Sequence, residues 1–146
     1  MSGQVNISSE LDYLACALLG AAIEALEKRV EKGCYSVQKT TLPVMLASNV
    51  QDEFLSFEQD SPDECYAAAC EYIASLKEAC NIYALVYEGA VQTADNLNAE
   101  SALIVEFAQR GMECAYSGYV LWSLDKQGHV HITDPQPAGE ETLLFA

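Results

Sequence analysis

Ile82-Tyr83-Ala84-Leu85-Val86-Tyr87-Glu88-Gly89-Ala90-Val91 is followed, beyond a polar connection around Asp95-Asn96, by Ala102-Leu103-Ile104-Val105-Glu106-Phe107-Ala108. Both stretches are apolar, of strand length, and rich in β-branched and aromatic residues, so both read as β-strands. Downstream, Arg110-Gly111 turns the chain into a long strand over residues 114–124, in which Gly118 marks a bulge. Asp125-Lys126-Gln127-Gly128 turns it again into a strand over 129–133. After a loop containing Pro135, Pro137 and Gly139, Leu143-Leu144-Phe145 adds a short edge strand.

Upstream, Ser61-Pro62-Asp63-Glu64 is a capping box, with serine at the N-cap, proline at the first helical position and glutamate at the third. Tyr66, Ala69, Cys70, Ile73, Leu76 and Cys80 then mark one face of a helix ending near Cys80. Before it, Leu42-Pro43-Val44-Met45-Leu46 and Phe54-Leu55-Ser56-Phe57 flank the polar stretch 48–52 as a hairpin, with Pro43 confined to an edge or a strand start. The first element is a helix with Ser9 as N-cap. Its stripe is Leu11, Leu14, Ala15, Leu18, Ala22, Leu26 and Val30, with cations in the last turn and Gly33 as the stop. The order α-β-β-α-β-β-β-(β) implies an α+β fold, two helices packed on an antiparallel sheet, with residues 1–146 forming one domain.

The chain has 146 residues, 51% of them hydrophobic and 20% charged, which permits a sizeable core and excludes a disordered tail. Its 22 acids against 7 bases give a net charge of −15. That balance argues against nucleic acid and anionic membranes as partners. The apolar run over 13–23 is preceded only by acidic charges, Glu10 and Asp12, and is too short to span a bilayer. A cytoplasmic protein is therefore expected. Of the six cysteines, Cys65, Cys70 and Cys80 fall on one predicted helix and no CxxC pair exists, so reduced structural thiols are expected.

Phosphate-binding loops, a nucleophile elbow and a zinc-protease helix are all missing from the sequence, and no cofactor is expected. His129-Val130-His131 has a metal-like spacing, with Asp134 and Glu113 as further ligands, although an outer strand alternates this way by default and the plainer reading leaves both rings in solvent. If the central hairpin has its tip near Asn96, Glu88 lies opposite Ile104 and diagonal to Glu106. That would bring two carboxylates within acid–base range, with Arg110 orienting an anionic group. The competing reading puts both glutamates on a solvated face, or beside Lys39 or Arg110. Tyr83, Tyr87, Tyr116 and Tyr119 all fall on predicted strands and suit a partner-binding surface as well as the rim of a small sheet. An acidic run that includes Glu58 and Asp60 has no base between residues 51 and 76.

Leu42-Pro43-Val44, Tyr83-Ala84-Leu85-Val86-Tyr87-Glu88-Gly89, and Ala102-Leu103-Ile104-Val105-Glu106 followed by Arg110-Gly111 together resemble a group of small uncharacterised bacterial proteins with a strand–loop–strand core. The resemblance implies a compact bacterial α+β domain and brings no activity with it.

The leading functional expectation is a non-enzymatic module that binds a basic protein through an acidic, tyrosine-bearing surface, as an inhibitor, an immunity-type protein or an adaptor. The alternatives are a small hydrolase or ligand-binding enzyme using Glu88 and Glu106, and a mimic of nucleic-acid charge. The last is disfavoured because the acids are spread evenly along the chain. The first helix is apolar nearly all round over residues 13–23, and small residues at Ala17, Gly20 and Ala21 would allow a twofold homodimer there.

Overall fold

The computed structural model describes residues 8–31, 44–50, 53–93 and 96–145, so the expected features at Gly33, Cys34, Lys39, Pro43 and Asp95 lie outside the described residues. The element order is α1 (Ser9–Glu31), β1 (Val44–Ser48), β2 (Leu55–Phe57), α2 (Pro62–Ser75), a 3-10 turn (Lys77–Ala79), β3 (Ile82–Thr93), β4 (Asn96–Gln109), β5 (Ala115–Leu124), β6 (Val130–Ile132) and β7 (Gln136–Glu141). The protein is α+β, with an antiparallel seven-stranded sheet in the order β2-β1-β3-β4-β5-β6 and β7 also on β5.

Both helices start where a serine side chain satisfies a free backbone donor. Ser61 Oγ accepts from the Glu64 amide at 3.1 Å, with Pro62 at the first helical position. In α1 the cap is Ser8 rather than Ser9: its Oγ accepts from the Leu11 amide at 3.1 Å. The stripe Leu11, Leu18, Ala22, Leu26 and Val30 is buried. α2 is shorter than its apolar pattern suggests, giving way after Ser75 to the 3-10 turn, where Lys77 takes a left-handed φ of 50°. No helix among the described residues is long and apolar enough to cross a membrane.

The two helices cover opposite faces of the sheet. Leu18, Ala22 and Leu26 of α1 pack with Ala47, Ala84, Val86, Leu103 and Val120. Ala69 and Ile73 of α2 pack with Leu46, Tyr83, Leu85 and Ala108. Alternation along β3 feeds both layers, since successive strand residues point to opposite faces.

The C-terminal region departs from expectation. The stretch with Pro137 and Gly139 forms β7, while Leu143-Leu144-Phe145 forms no strand and packs as partly buried side chains against the α2-side core. Proline lacks a donor but is tolerated where a strand has only one neighbour, and β7 pairs with β5 alone. β6 and β7 run successively along the same edge of β5, β6 beside residues 122–124 and β7 beside residues 115–119. The β5–β7 register shifts between Ser117 and Gly118. A Cβ on Gly118 would sit 2.9 Å from the Gln136 carbonyl oxygen, so glycine here allows the close approach of β7.

Candidate functional site

The β3–β4 hairpin decides which side chains can meet. Thr93 pairs with Asn96, and Glu88 pairs with Leu103 rather than with Ile104, while Glu106 pairs with Leu85. A register differing by one residue sends a side chain to the other face. Glu88 accordingly points to the α1 side and forms an ion pair with Arg29, whereas Glu106 points to the α2 side. The Glu88/Glu106 carboxylate pair, the less favoured of the two readings of the sequence, does not form.

Glu106 stands in a row that crosses the sheet through Leu85, Glu106 and Ser117, flanked by the row Tyr87, Ile104, Tyr119. It is 2% exposed. Tyr66, on the second turn of α2, donates its hydroxyl to Glu106 Oε1 at 2.8 Å, and Tyr87 of β3 donates to Oε2 at 2.5 Å. The capping box fixes where α2 begins, and that start brings Tyr66 over the sheet beside Tyr87. Their rings meet edge to face, 5.5 Å between centroids and 82° between planes. On the far side, Ser117 Oγ donates to Glu141 Oε2 at 2.8 Å. Tyr66, Tyr87, Glu106 and Glu141 line a cleft of about 560 Å³ together with Val44, Pro62, Asp63, Cys65 and Glu88, whose carboxylate is paired with Arg29. A hollow of about 360 Å³, lined by Ile104, Ser117 and Tyr119, shares Tyr87 and Glu141 with it.

Burial pushes the Glu106 carboxyl above its ordinary value; the two phenol donors oppose this and Glu141 adds to it. Tyr66 and Tyr87 are both pushed up, first by burial and then by donating to Glu106, so both hydroxyls stay protonated donors at neutral pH. Burial, and then the Glu106 charge, raises the Cys70 thiol as well.

A carboxyl whose folded pKa lies above its unfolded value binds its proton more tightly in the native state. Stability is then lost as pH rises from the ordinary carboxyl range through the raised value, and is flat above it. Glu106→Gln keeps the shape and removes the titration. The stability of the native protein relative to this variant should fall over that window in denaturant unfolding at stepped pH. A difference that stays constant, or grows with pH, contradicts the raised value.

The remaining expected site residues disperse. Tyr83 is fully buried in the core and its hydroxyl accepts from the Leu144 amide at 3.1 Å, so it belongs to no binding surface. Tyr116 and Tyr119 are half-buried on opposite faces of β5, as their pairing with Phe107 and Ile104 requires; Tyr119 shares the face of Tyr87, and Tyr116 does not. Glu58 and Asp60 are exposed just before α2. Arg110 is no anion-orienting group. Its guanidinium donates to the Lys77 carbonyl at 2.7 Å and to the Cys80 carbonyl at 2.9 and 3.1 Å, and lies 4.6 Å over the Phe145 ring. His129 and His131 are exposed while Val130 and Ile132 pack inward, and no group of three potential metal ligands assembles among the described residues. Cys65 and Cys80 are buried, Cys70 and Cys114 half-buried and Cys16 exposed, all as free thiols.

Tyr66, Ser117 and Glu141 are the site residues that sequence reasoning missed. One signal for Tyr66 was present: Glu106 shares its strand face with Ala108 and Ile104, and a carboxylate on an apolar face needs donors from whatever covers it. Comparison of the chain with protein-family models, with curated proteins and with solved structures finds no match in any of the three.

Proposed function

We propose that the protein is a non-enzymatic cytoplasmic module that binds a basic protein partner through the acidic face around the Tyr66–Tyr87–Glu106 cleft. The observation that carries this reading is the cleft itself, where Asp63, Glu106 and Glu141 converge beside two tyrosines in a chain of net charge −15. Exposed Glu58 and Asp60 add the same sign just before α2, whose first residues, Pro62 and Asp63, line the cleft. Such a field speeds encounter with basic partners and weakens with salt. Immobilised protein should retain a basic protein from its native host at low salt and release it as salt is raised, and the double variant Glu58→Lys/Asp60→Lys should retain less. Retention of nothing above background at low salt removes the reading.

A hydrolase is the second reading, and it now requires Glu141 in the place of Glu88. The favouring observation is a raised Glu106 within electrostatic reach of Glu141 in one concave cleft. Turnover of a glycoside or ester panel that disappears in Glu106→Gln would support it over simple binding.

Self-association through α1 is part of the proposal. Tyr13 is 75% exposed, Cys16 and Gly20 are exposed, and α2 lies across the sheet, so it does not cover this face. A Cβ on Gly20 meets nothing within 4 Å, which makes Gly20→Glu a clean probe. Light scattering should give a dimer mass for the native protein and a monomer mass for this variant. A monomer mass for the native protein at micromolar concentration excludes the dimer.

A further inference from the structure

We propose that the Tyr66–Tyr87–Glu106–Glu141 cleft receives the ammonium group of a lysine side chain presented by the protein partner, an inference that rests on the binding reading above. The buried Glu106 carboxylate is held only by two neutral phenols among the described residues. The chain's own guanidinium groups are engaged elsewhere, Arg29 with Glu88 and Arg110 with backbone carbonyls. Lys28, Lys77 and Lys126 are exposed and make no described ion pair with this carboxylate. Glu141, steadied by Ser117, supplies a second carboxylate to the same space. The charge gathered in the cleft is thus one that a visiting cation would complement.

The walls match the rest of such a side chain. Tyr66 and Tyr87 both line the cleft, and aromatic surface suits a four-carbon stem and attracts a cation at a ring face. The donor pattern favours ammonium over guanidinium. A guanidinium prefers two parallel bonds to the two oxygens of one carboxylate, and here each oxygen of Glu106 already accepts a phenol. An ammonium is a compact charge with three separate donors. It can use Glu141 together with the remaining lone pairs on Glu106 and on the phenol oxygens.

The test is a heteronuclear NMR titration of the full chain with four probes: Nα-acetyl-lysine methylamide, its norleucine analogue, its arginine analogue and free diaminobutane. The lysine probe should produce saturable shifts in amides around Tyr66, Tyr87, Glu106 and Glu141, and the neutral norleucine probe none there. Glu141→Gln should weaken the lysine probe by about tenfold, and Tyr87→Phe should weaken it too. Glu141 lies at the sheet margin, so its variant remains informative should Glu106 variants fail to fold. Equal response to lysine and norleucine, an unaffected Glu141→Gln, or stronger binding of arginine overturns the proposal. Tighter binding of diaminobutane than of the lysine probe overturns it in favour of a free amine. If the cleft is silent while the unmodified protein still captures a basic partner that Glu58→Lys/Asp60→Lys loses, the lysine pocket is wrong and the broader reading stands. If capture fails as well, both fall.

Discussion

Replacing Arg29 with alanine is expected to destabilise the protein by about 3–5 kcal/mol, the usual cost of removing one partner of a buried ion pair. Arg29 and Glu88 are each only 10% exposed at the side chain, and Glu88 shares its strand face with Ala84 and Val86 of the core. Deleting the guanidinium removes an ion-pair partner from a carboxylate that is only 10% exposed. The pair as a whole contributes far less, because its desolvation offsets most of its attraction. The double variant Arg29→Met/Glu88→Leu should therefore recover most of the loss. Urea unfolding of the native protein, both single variants and the double completes the cycle. A loss below about 1 kcal/mol for Arg29→Ala is what a solvated pair would give, and it would contradict the burial of this one.

Tyr83→Ala is the second large effect, at about 3–5 kcal/mol, as for other buried aromatics cut to alanine. The ring is 0% exposed and lies 5.1 Å from Phe145 in an edge-to-face contact. Tyr83→Phe should cost about 1 kcal/mol, since it keeps the ring and removes only the acceptor of the Leu144 amide. The two substitutions separate a core role from a binding role. Weaker partner capture by Tyr83→Ala with unchanged unfolding behaviour would mean that the side chain faces outward after all.

Elements set by local chemistry were legible from the sequence. The capping box at Ser61 and the helical stripe of α1 depend on residues within a few positions of one another, and both helices begin within one residue of where these signals put them. The apolar runs in β3 and β4 likewise announce strands, although both extend further toward their common turn than their apolar cores suggest. Register was not legible, because it depends on one residue in the placement of the hairpin tip, and that difference alone divides Glu88 from Glu106 between the two faces. β7 was hidden for a related reason. Proline and glycine read locally as loop, and only the strand's place at the border of the sheet makes them acceptable. Glu106 was weighed as half of a carboxylate pair, but Glu88 turns to Arg29 on the other face. The true companions of Glu106, Tyr66 and Tyr87, lie 40 and 19 residues away in sequence. Glu141 entered through the unexpected strand.

The margins of the sheet restrict how this molecule can meet another chain. At one margin β2 has three residues; at the other, β6 and β7 follow one another with Pro135 and Pro137 between and within them and with Glu140 exposed. Among the described residues, neither β2 nor the β6–β7 pair is a long, flat strand of the kind on which a foreign strand adds or a fibre grows, whereas the β3–β4 hairpin runs on past the last β1 partner at Val86 and the first β5 partner at Ala102. At these two margins strand addition is disfavoured, which leaves side chains on the sheet faces as the surface available for contact. Short end strands, interrupted by proline on the β6–β7 side, oppose edge-to-edge aggregation at these two margins.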